Sequence, residues 1–348
     1  MSEECVTPEV RLLARGEEVE WDRFVMACPE ATFFHRVGWK AVVEEAFGHR
    51  THYLLARRHG MVCGVMPLVQ VRSLLFGHAL VSTPFCVYGG AVAVDEASRL
   101  ALESCAEALA VRLKVDWLEC RNVVARRDAW GSRDLYYTFR KGIVADAGAN
   151  LLAIPRKQRA EVRRGIQNGL IGIRDDEIGA RCFDIYAESV RNLGTPVFPR
   201  ALFVALKKQF GADCEGRRVE WQGRSVAAVV SFYFRDQVLP YYGGGLPEAR
   251  SSGAMAFMYW DLMTHAAERG ARLFDFGRSK VGSGSYDFKR YYGFVPEPLP
   301  YRYRLVRAET LPEINPMNPK YRYFIKMWKR LPLSVAERVG PWLSRGLG

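Results

Sequence analysis

A chain of 348 residues, 49% hydrophobic and 25% charged, has the composition of a globular protein and is long for a single core, so two domains are expected. Its net charge of +12 favours an anionic partner, whether RNA, a phosphate-bearing substrate or a membrane face, and does not choose among them. The acidic stretch 1–20 argues against a signal peptide, no apolar run reaches the ~18 residues of a membrane span, and the eight scattered cysteines lack a C-x-x-C pair, which argues against zinc and for reduced thiols in a cytoplasm.

Apolar periodicity predicts short helices at 21–27 and 39–47, with Phe33-Phe34-His35-Arg36-Val37-Gly38-Trp39 between them. His35 reads as a capping or core group or, with Arg36, as a substrate contact; Trp39 reads as core. Strands follow at 51–57 and 61–71, turned at His59-Gly60, then an extended segment reaching Tyr88-Gly89-Gly90, a helix at 97–113 and a strand at 117–121. The second half opens with helices at 157–168, 181–192 and 200–210. The first of these carries Arg156, Lys157, Arg159, Arg163 and Arg164, with Ile166 expected on its inner side. It reads either as a solvated face or as a phosphate-attracting one, for which the fork of Arg156 or Arg163 is well shaped. Strands at 218–222 and 225–234, turned at Gly223, lead to a third that ends in Tyr242-Gly243-Gly244. A helix at 254–269 and a strand at 272–276 complete the half.

The two halves repeat one plan: a hairpin, Tyr-Gly-Gly, an amphipathic helix, then a strand ending in an acid with an arginine close behind (Glu119/Arg121, Asp275/Arg278). Two helices, an antiparallel meander, a helix and a further strand is the element order of the GNAT acyltransferase fold, whose strands splay at a Gly-rich point and expose backbone donors to a ligand. The expected fold class is therefore α/β (α+β): two tandem GNAT-like domains with mixed, largely antiparallel sheets flanked by helices, at 1–147 and 148–308. Residues 309–348 are expected to form a Pro/Asn-rich linker and a tail carrying seven basic residues from Lys320 onward against one acid, Glu337. Tyr321, Tyr323, Phe324, Trp328 and Trp342 are interleaved, which suits either an anionic membrane face or a helix packing its aromatic side on the domain.

Some motifs carry no chemistry. Asp275-Phe276-Gly277 spells a kinase metal-binding tripeptide, but no catalytic or glycine-rich nucleotide loop accompanies it. Gly282-Ser283-Gly284-Ser285 lacks the third glycine of a dinucleotide fingerprint, and neither H-E-x-x-H nor G-x-S-x-G is present, so no metal is expected. Arg250-Ser251-Ser252-Gly253-Ala254-Met255 has the spacing of the loop through which GNAT domains hold the CoA pyrophosphate, which makes Arg250 and Gly253 cofactor-binding candidates. Met255 stands where a small residue is usual.

Taken together, Phe34-His35-Arg36-x-x-Trp39, the basic helix from Arg156, Tyr242-Gly243-Gly244, the run Phe274 to Ser279 and Phe288-Lys289-x-x-x-Gly293 resemble the FemAB/FemX-type peptidyltransferases. The tail Trp328-Lys329-Arg330-Leu331-Pro332-Leu333 is similar to the FemAB-related proteins of exosortase/PEP-CTERM exopolysaccharide loci. The resemblance covers nearly the whole chain in order. It implies transfer of an amino acid from aminoacyl-tRNA to the amine of an envelope precursor, with Lys289 of the Phe-Lys pair stabilising the oxyanion. The coiled-coil arm that some members insert has no counterpart between 151 and 211.

The expected activity is thus N-acyl or aminoacyl transfer from an activated ester or thioester to an amine, which needs a neutral amine, a path for its proton and a donor for the developing oxyanion. Lys289 is the expected oxyanion donor. Asp275 and Arg278 either orient the acceptor or form a structural ion pair, and Tyr242 and Tyr286 pass a proton or bind substrate beside Phe288. No tightly bound cofactor is expected; acyl-CoA and aminoacyl-tRNA both stay open as donors, and the tail adds peripheral contact with the inner membrane face. The alternative is a non-catalytic binding or scaffold subunit of an envelope-assembly complex.

Overall fold

The computed structural model describes residues 7–73, 76–124, 130–133, 135–311 and 322–347, which fall into two units. The first begins with β1 (Glu9–Leu12), α1 (Glu18–Ala27) and α2 (Gly38–Phe47), followed by the antiparallel pair β2 (Leu54–Arg58) and β3 (Met61–Met66). The single strand expected at 61–71 is interrupted at Pro67, which has no N–H to donate, and resumes as β4 (Val69–Ser73) in a second sheet. There β4 pairs with β5 (Gly77–Val81). After α3 (Glu96–Arg112), whose N-terminus is capped by the Asp95 carboxylate accepting from the Ser98 N–H at 2.8 Å, β6 (Trp117–Cys120) runs parallel to β5. Leu102, Ala106 and Leu109 of α3 pack on Leu54, Leu80 and Leu118 of the strands.

The second unit opens with β7 (Tyr136–Gly142) and the basic helix α4 (Arg156–Gln167). It continues with β8 (Ile171–Asp175), α5 (Phe183–Leu193), α6 (Arg200–Phe210) and the strands β9 (Cys214–Trp221), β10 (Arg224–Phe234) and β11 (Gln237–Gly245). Next come α7 (Ala254–Glu268), β12 (Leu273–Asp275), β13 (Ser279–Lys280), α8 (Gly284–Tyr291) and β14 (Pro296–Pro298). β8 to β11 form an antiparallel meander. β12 is parallel to β11 only at Gln237↔Leu273 and Val238↔Phe274, after which the two part. β7 closes the order, antiparallel to β12, β13 and β14.

Each unit therefore has an antiparallel run, one parallel neighbour, and then an antiparallel strand from a remote part of the chain. β7 fills that place beside β12, and β15 (Tyr301–Leu305) fills it beside β6. The expected boundaries at 147/148 and 308/309 differ from the division of the chain, in which 135–298 belong to the second unit and 299–311 to the first, because the strand ladders place 136–142 and 301–305 there.

One equivalence expected from the repeat is corrected. Tyr242 and Gly243 lie inside β11, paired with Val230 and Val229, whereas Tyr88 and Gly89 lie in a loop, because β5 stops at Val81. Thr83 (φ 52°) and Phe85 (φ 66°) adopt left-handed conformations there, which a strand cannot contain.

At the tail, α9 (Arg322–Trp328) and α10 (Leu333–Ser344) belong to the second unit. Trp328 is buried with Phe324 stacked on it at 5.4 Å, and Gly340 is packed so closely that a Cβ would lie 2.7 Å from the Val197 backbone. Tyr323 and Trp342 are 86% and 66% exposed, so the tail packs one aromatic side and displays another. The expected linker 312–319, with Lys320 and Tyr321, lies outside the described residues. Among the described helices none is long and apolar enough to cross a membrane.

Candidate functional site

Where β12 parts from β11, the chain turns through Asp275, Phe276, Gly277 (φ 63°) and Arg278. Asp275 is 1% exposed, and its Oδ1 accepts from the Gly277 N–H at 2.8 Å and from Thr138 Oγ1 at 3.5 Å. Its carboxylate thus shapes the turn from inside. The Arg278 guanidinium lies 4.5 Å from the centre of the Tyr136 ring, in cation–π contact.

Lys289 enters from α8, whose start is capped by the Ser283 hydroxyl accepting from the Tyr286 N–H at 3.3 Å. Its ammonium donates to three successive carbonyls of the turn: Phe276 at 2.7 Å, Gly277 at 3.0 Å and Arg278 at 3.1 Å. The rings of Phe139 and Phe276 lie 5.3 and 5.5 Å from Nζ. Burial lowers its pKa to about 7; Asp275 pulls the other way and Arg278 adds to the lowering. An ammonium has three N–H donors, and here all three are used. Lys289 was expected as an oxyanion donor, and here its N–H groups are taken by the carbonyls of the turn. Lys289 is 8% exposed, and in this geometry it holds the backbone of the turn.

Alternation along β7 separates two faces. Tyr137 and Phe139 pack edge-on against Tyr286 at 5.9 and 5.3 Å, on the core side, where Phe288 meets Phe276 and Tyr292. Tyr136, Thr138 and Arg140 point the other way, facing Lys280, Glu297 and Asp275 across the ladders. Of these, only Asp275 was expected at the site. The signal for the rest was the polar residue at every second position from 136 to 140, on a strand whose partners lie some 140 residues further along the chain.

The other candidates are dispersed. Tyr242 sits four residues past the last β11–β12 pair, in an aromatic cluster with Tyr186, Phe203 and Tyr241. His35, in the first unit, is fully buried; burial pushes its pKa down to about 4, and Nδ1 accepts from the Thr32 N–H at 3.1 Å, capping a short helical turn. Arg36 faces Asp22 at 3.6 Å. Arg156 and Arg163 are exposed on α4, and so is Ile166 at 44%, contrary to its expected inner position, because Val162 and Gly165 take the packed face.

Gly165 and Gly253 let α4 lie directly on the start of α7. Arg164 donates to the Arg250 carbonyl at 3.0 Å and Asn168 to that of Ser252 at 3.0 Å. Gly253 has φ 80°, and a Cβ on it would lie 2.7 Å from the Glu161 carbonyl. Gly253→Ala is accordingly expected to destabilise the protein by about 2–4 kcal/mol, combining the left-handed strain with overpacking. Urea unfolding checks it; a loss within experimental error would mean that the two helices separate easily. The Gly-rich end of β11 is covered as well. The Gly245 N–H donates to Ser189 Oγ of α5 at 3.2 Å, and the Met255 sulfur sits where a Gly245 Cβ would go.

In the first unit, the counterpart of the Asp275 turn is closed. Arg121 Nε donates to Glu119 at 2.8 Å, its NH1 donates to the Cys86 carbonyl at 2.7 Å, and both residues are buried. The guanidinium also lies 5.8 Å from the Tyr301 ring.

Comparison with known proteins agrees with this architecture. Residues 156–290 match the model of an acetyltransferase (GNAT) domain. No curated protein matches the sequence. The crystal structure of FemX superposes with a TM-score of 0.65 at 14% identity, over 86% of this chain and 98% of that one. A tandem GNAT protein from the clavulanic acid biosynthesis pathway gives 0.54 at 12% identity, over 86% and 98%. The C-terminal domain of a putative lysylphosphatidylglycerol synthetase from Agrobacterium fabrum gives 0.54 at 13%, over 82% and 91%. The chain has the tandem GNAT fold, each unit carrying one parallel strand pair that parts after a few residues, and it is similar in fold to FemX.

Proposed function

We propose that this chain is an aminoacyl transferase that moves an aminoacyl group from an ester donor to an amine on a cell-envelope or exopolysaccharide precursor. The observation that carries the choice of donor is the covering of two backbone surfaces in the second unit. A CoA-binding GNAT domain presents bare N–H groups at the start of its helix and at its Gly-rich strand end. Here α4 lies on the first and Ser189 of α5 takes the Gly245 N–H of the second.

In the reaction, the acceptor nitrogen forms a bond to the ester carbonyl carbon, the carbon–oxygen bond breaks, and the leaving hydroxyl takes up the proton that the amine gives off. Asp275, buried beneath the turn, is a positioning residue that holds the turn through the Gly277 N–H. Arg278 holds an anionic part of a substrate. Lys289 is a positioning residue, acting through the carbonyls it holds at 276–278.

The experiment is a donor comparison. Purified protein with an amine acceptor is expected to discharge aminoacyl-tRNA and to release no thiol from acetyl-CoA. Thiol release would overturn the donor assignment. Discharge of neither donor would favour the scaffold role, which the closed Glu119–Arg121 pair of the first unit also suits.

An envelope precursor implies work at the inner membrane face, and the outward side of the tail helices suits that. Tyr323, Met327, Val339 and Trp342 are exposed beside Lys326, Lys329, Arg330 and Arg338. The full chain is expected to co-float with vesicles containing anionic phospholipid at low salt. Each cation removed from this face should cost roughly 1 kcal/mol, or about fivefold in affinity. No recovery with anionic vesicles at low salt would leave the tail a purely structural role.

A further inference from the structure

In the first unit, five cations gather with no carboxylate to pair them. The short strand Arg50–Thr51 pairs with β4, and β4 with β5, so that Arg50 stands opposite Gln70 and Arg72 opposite His78. Direct cross-strand partners share a face, as do residues two apart, which puts these four side chains on one side of the ladder. Gln70 Nε2 donates to His78 Nε2 at 2.8 Å. The turn after α3 joins them through Asp116, whose Oδ2 accepts from the His78 N–H at 2.8 Å and whose own N–H donates to the His78 carbonyl at 2.7 Å. Arg112 and Lys114 come with that turn, and Arg307, just past β15, donates its N–H to the Asp116 carbonyl at 3.1 Å.

Arg50, Arg72, Arg112, Lys114 and Arg307 are all exposed, and among the described residues none of them forms an ion pair or a side-chain hydrogen bond. Their charges fall on two neighbouring imidazoles. Burial lowers the pKa of His52, and Arg112 and Arg50 lower it further against the pull of Gln70. Burial and the charge of Arg72 lower that of His78, with Asp116 opposing and Arg307 adding to the effect. Other arginines of this unit are neutralised: Arg11 and Arg57 share Glu17, and Arg58 lies 2.7 Å from Asp95. The negative end of the α3 dipole accounts for Arg112 and Lys114, in its last turn and just beyond it, but not for the other three.

We propose that Arg50, Arg72, Arg112, Lys114 and Arg307 form a docking surface for the phosphodiester backbone of an RNA. The pattern of charge selects this occupant. Unpaired cations set among the polar side chains of His52, Gln70 and His78 suit a row of phosphates, each taking one cation. A lipid surface would call for apolar side chains among the charges, and of the described residues in these segments only Val111 is a large apolar side chain left exposed. For its purpose the surface rests on the aminoacyl-tRNA reading above, to which it adds the place where the body of the donor is gripped. That place is on the first unit, whose own acid-ended strand is closed by Arg121. Phosphate contacts of this kind hold and orient the RNA without reading its sequence, and no bond is made or broken there.

Direct binding tests this without turnover. Deacylated, fluorescently labelled tRNA is titrated with the full chain, and its anisotropy is followed between 50 and 200 mM salt. Affinity is expected to fall steeply with salt. Arg50→Met, Arg72→Met and Arg307→Met should each reduce the slope of log affinity against log salt by about 0.7–0.9 and weaken binding about fivefold at 0.1 M. Arg72→Lys, which keeps the charge, should keep the slope. Arg15→Met, which removes an exposed cation elsewhere in the unit, should bind like the unaltered chain. Absence of RNA binding overturns the surface. So does binding that the substitutions leave unchanged, the result expected if Arg156 and Arg163 of α4 hold the RNA instead. A third overturning result is Arg50→Met with Arg72→Met lowering recovery on anionic vesicles while RNA binding stays the same, which would assign the cations to lipid. If the surface fails while aminoacyl-tRNA is still discharged, the transferase reading stands without it. If RNA binds through these residues and no donor is discharged, the surface stands and the transferase reading falls.

Discussion

Lys289→Met should lower turnover by about 100-fold, the order of loss that follows a misplacement of about 1 Å at a reacting centre. The lysine holds three consecutive carbonyls of the 276–278 turn, and methionine can hold none of them. The same change should lower stability by about 1–3 kcal/mol, because buried carbonyls lose their donor. A freely solvated lysine would predict no change in the thermal midpoint, which makes that midpoint the first measurement to take. The pH dependence supplies a second. In the unfolded chain this amine keeps its proton up to the ordinary lysine range, whereas in the fold it gives the proton up near pH 7. Between those values the unfolded state binds more protons, so the stability of the unaltered chain relative to Lys289→Met should rise with pH from about 7 upward. A gap that stays flat from pH 7 to 9 would mean that the ammonium remains charged throughout. Near-normal turnover of Lys289→Met on a working donor and acceptor would mean that the shape of the turn does not govern the reaction.

Arg121→Met should be the most damaging single change to stability, costing about 3–5 kcal/mol, because it leaves the buried Glu119 carboxylate without its cation. The loss extends beyond the ion pair. Arg121 also holds the Cys86 carbonyl, in a loop where Thr83 and Phe85 are left-handed, and strained residues persist only where their surroundings over-determine them. The midpoint should fall on the order of 10 °C. Pairing the change with Glu119→Gln should recover part of the loss, since the second substitution removes the stranded charge. A cost below about 1 kcal/mol would show that Glu119 reaches water in the folded state.

Local order was legible in the residues, and with it the fold. Helices such as 200–210 and strands such as 225–234 declare themselves through period and turn residues, because a side chain's face is set by its own position in the element. The repeated acid-ended strand likewise pointed to the turn at Asp275, and Tyr286, Phe288 and Lys289 do gather around it. What Lys289 does there depends on which atoms surround its ammonium, and only the folded backbone brings three carbonyls within 3.1 Å of it. The glycines show the same division. Gly253 matched a pyrophosphate loop by spacing, yet its neighbour in space is the Glu161 carbonyl, some ninety residues away in the chain. Strand exchange lay furthest from the sequence. Nothing in the 136–142 stretch says that it completes the second unit, or in 301–305 that it completes the first, because ladder bonds between backbones carry no residue code. The residues that face Asp275 across those ladders were therefore decided by tertiary structure alone.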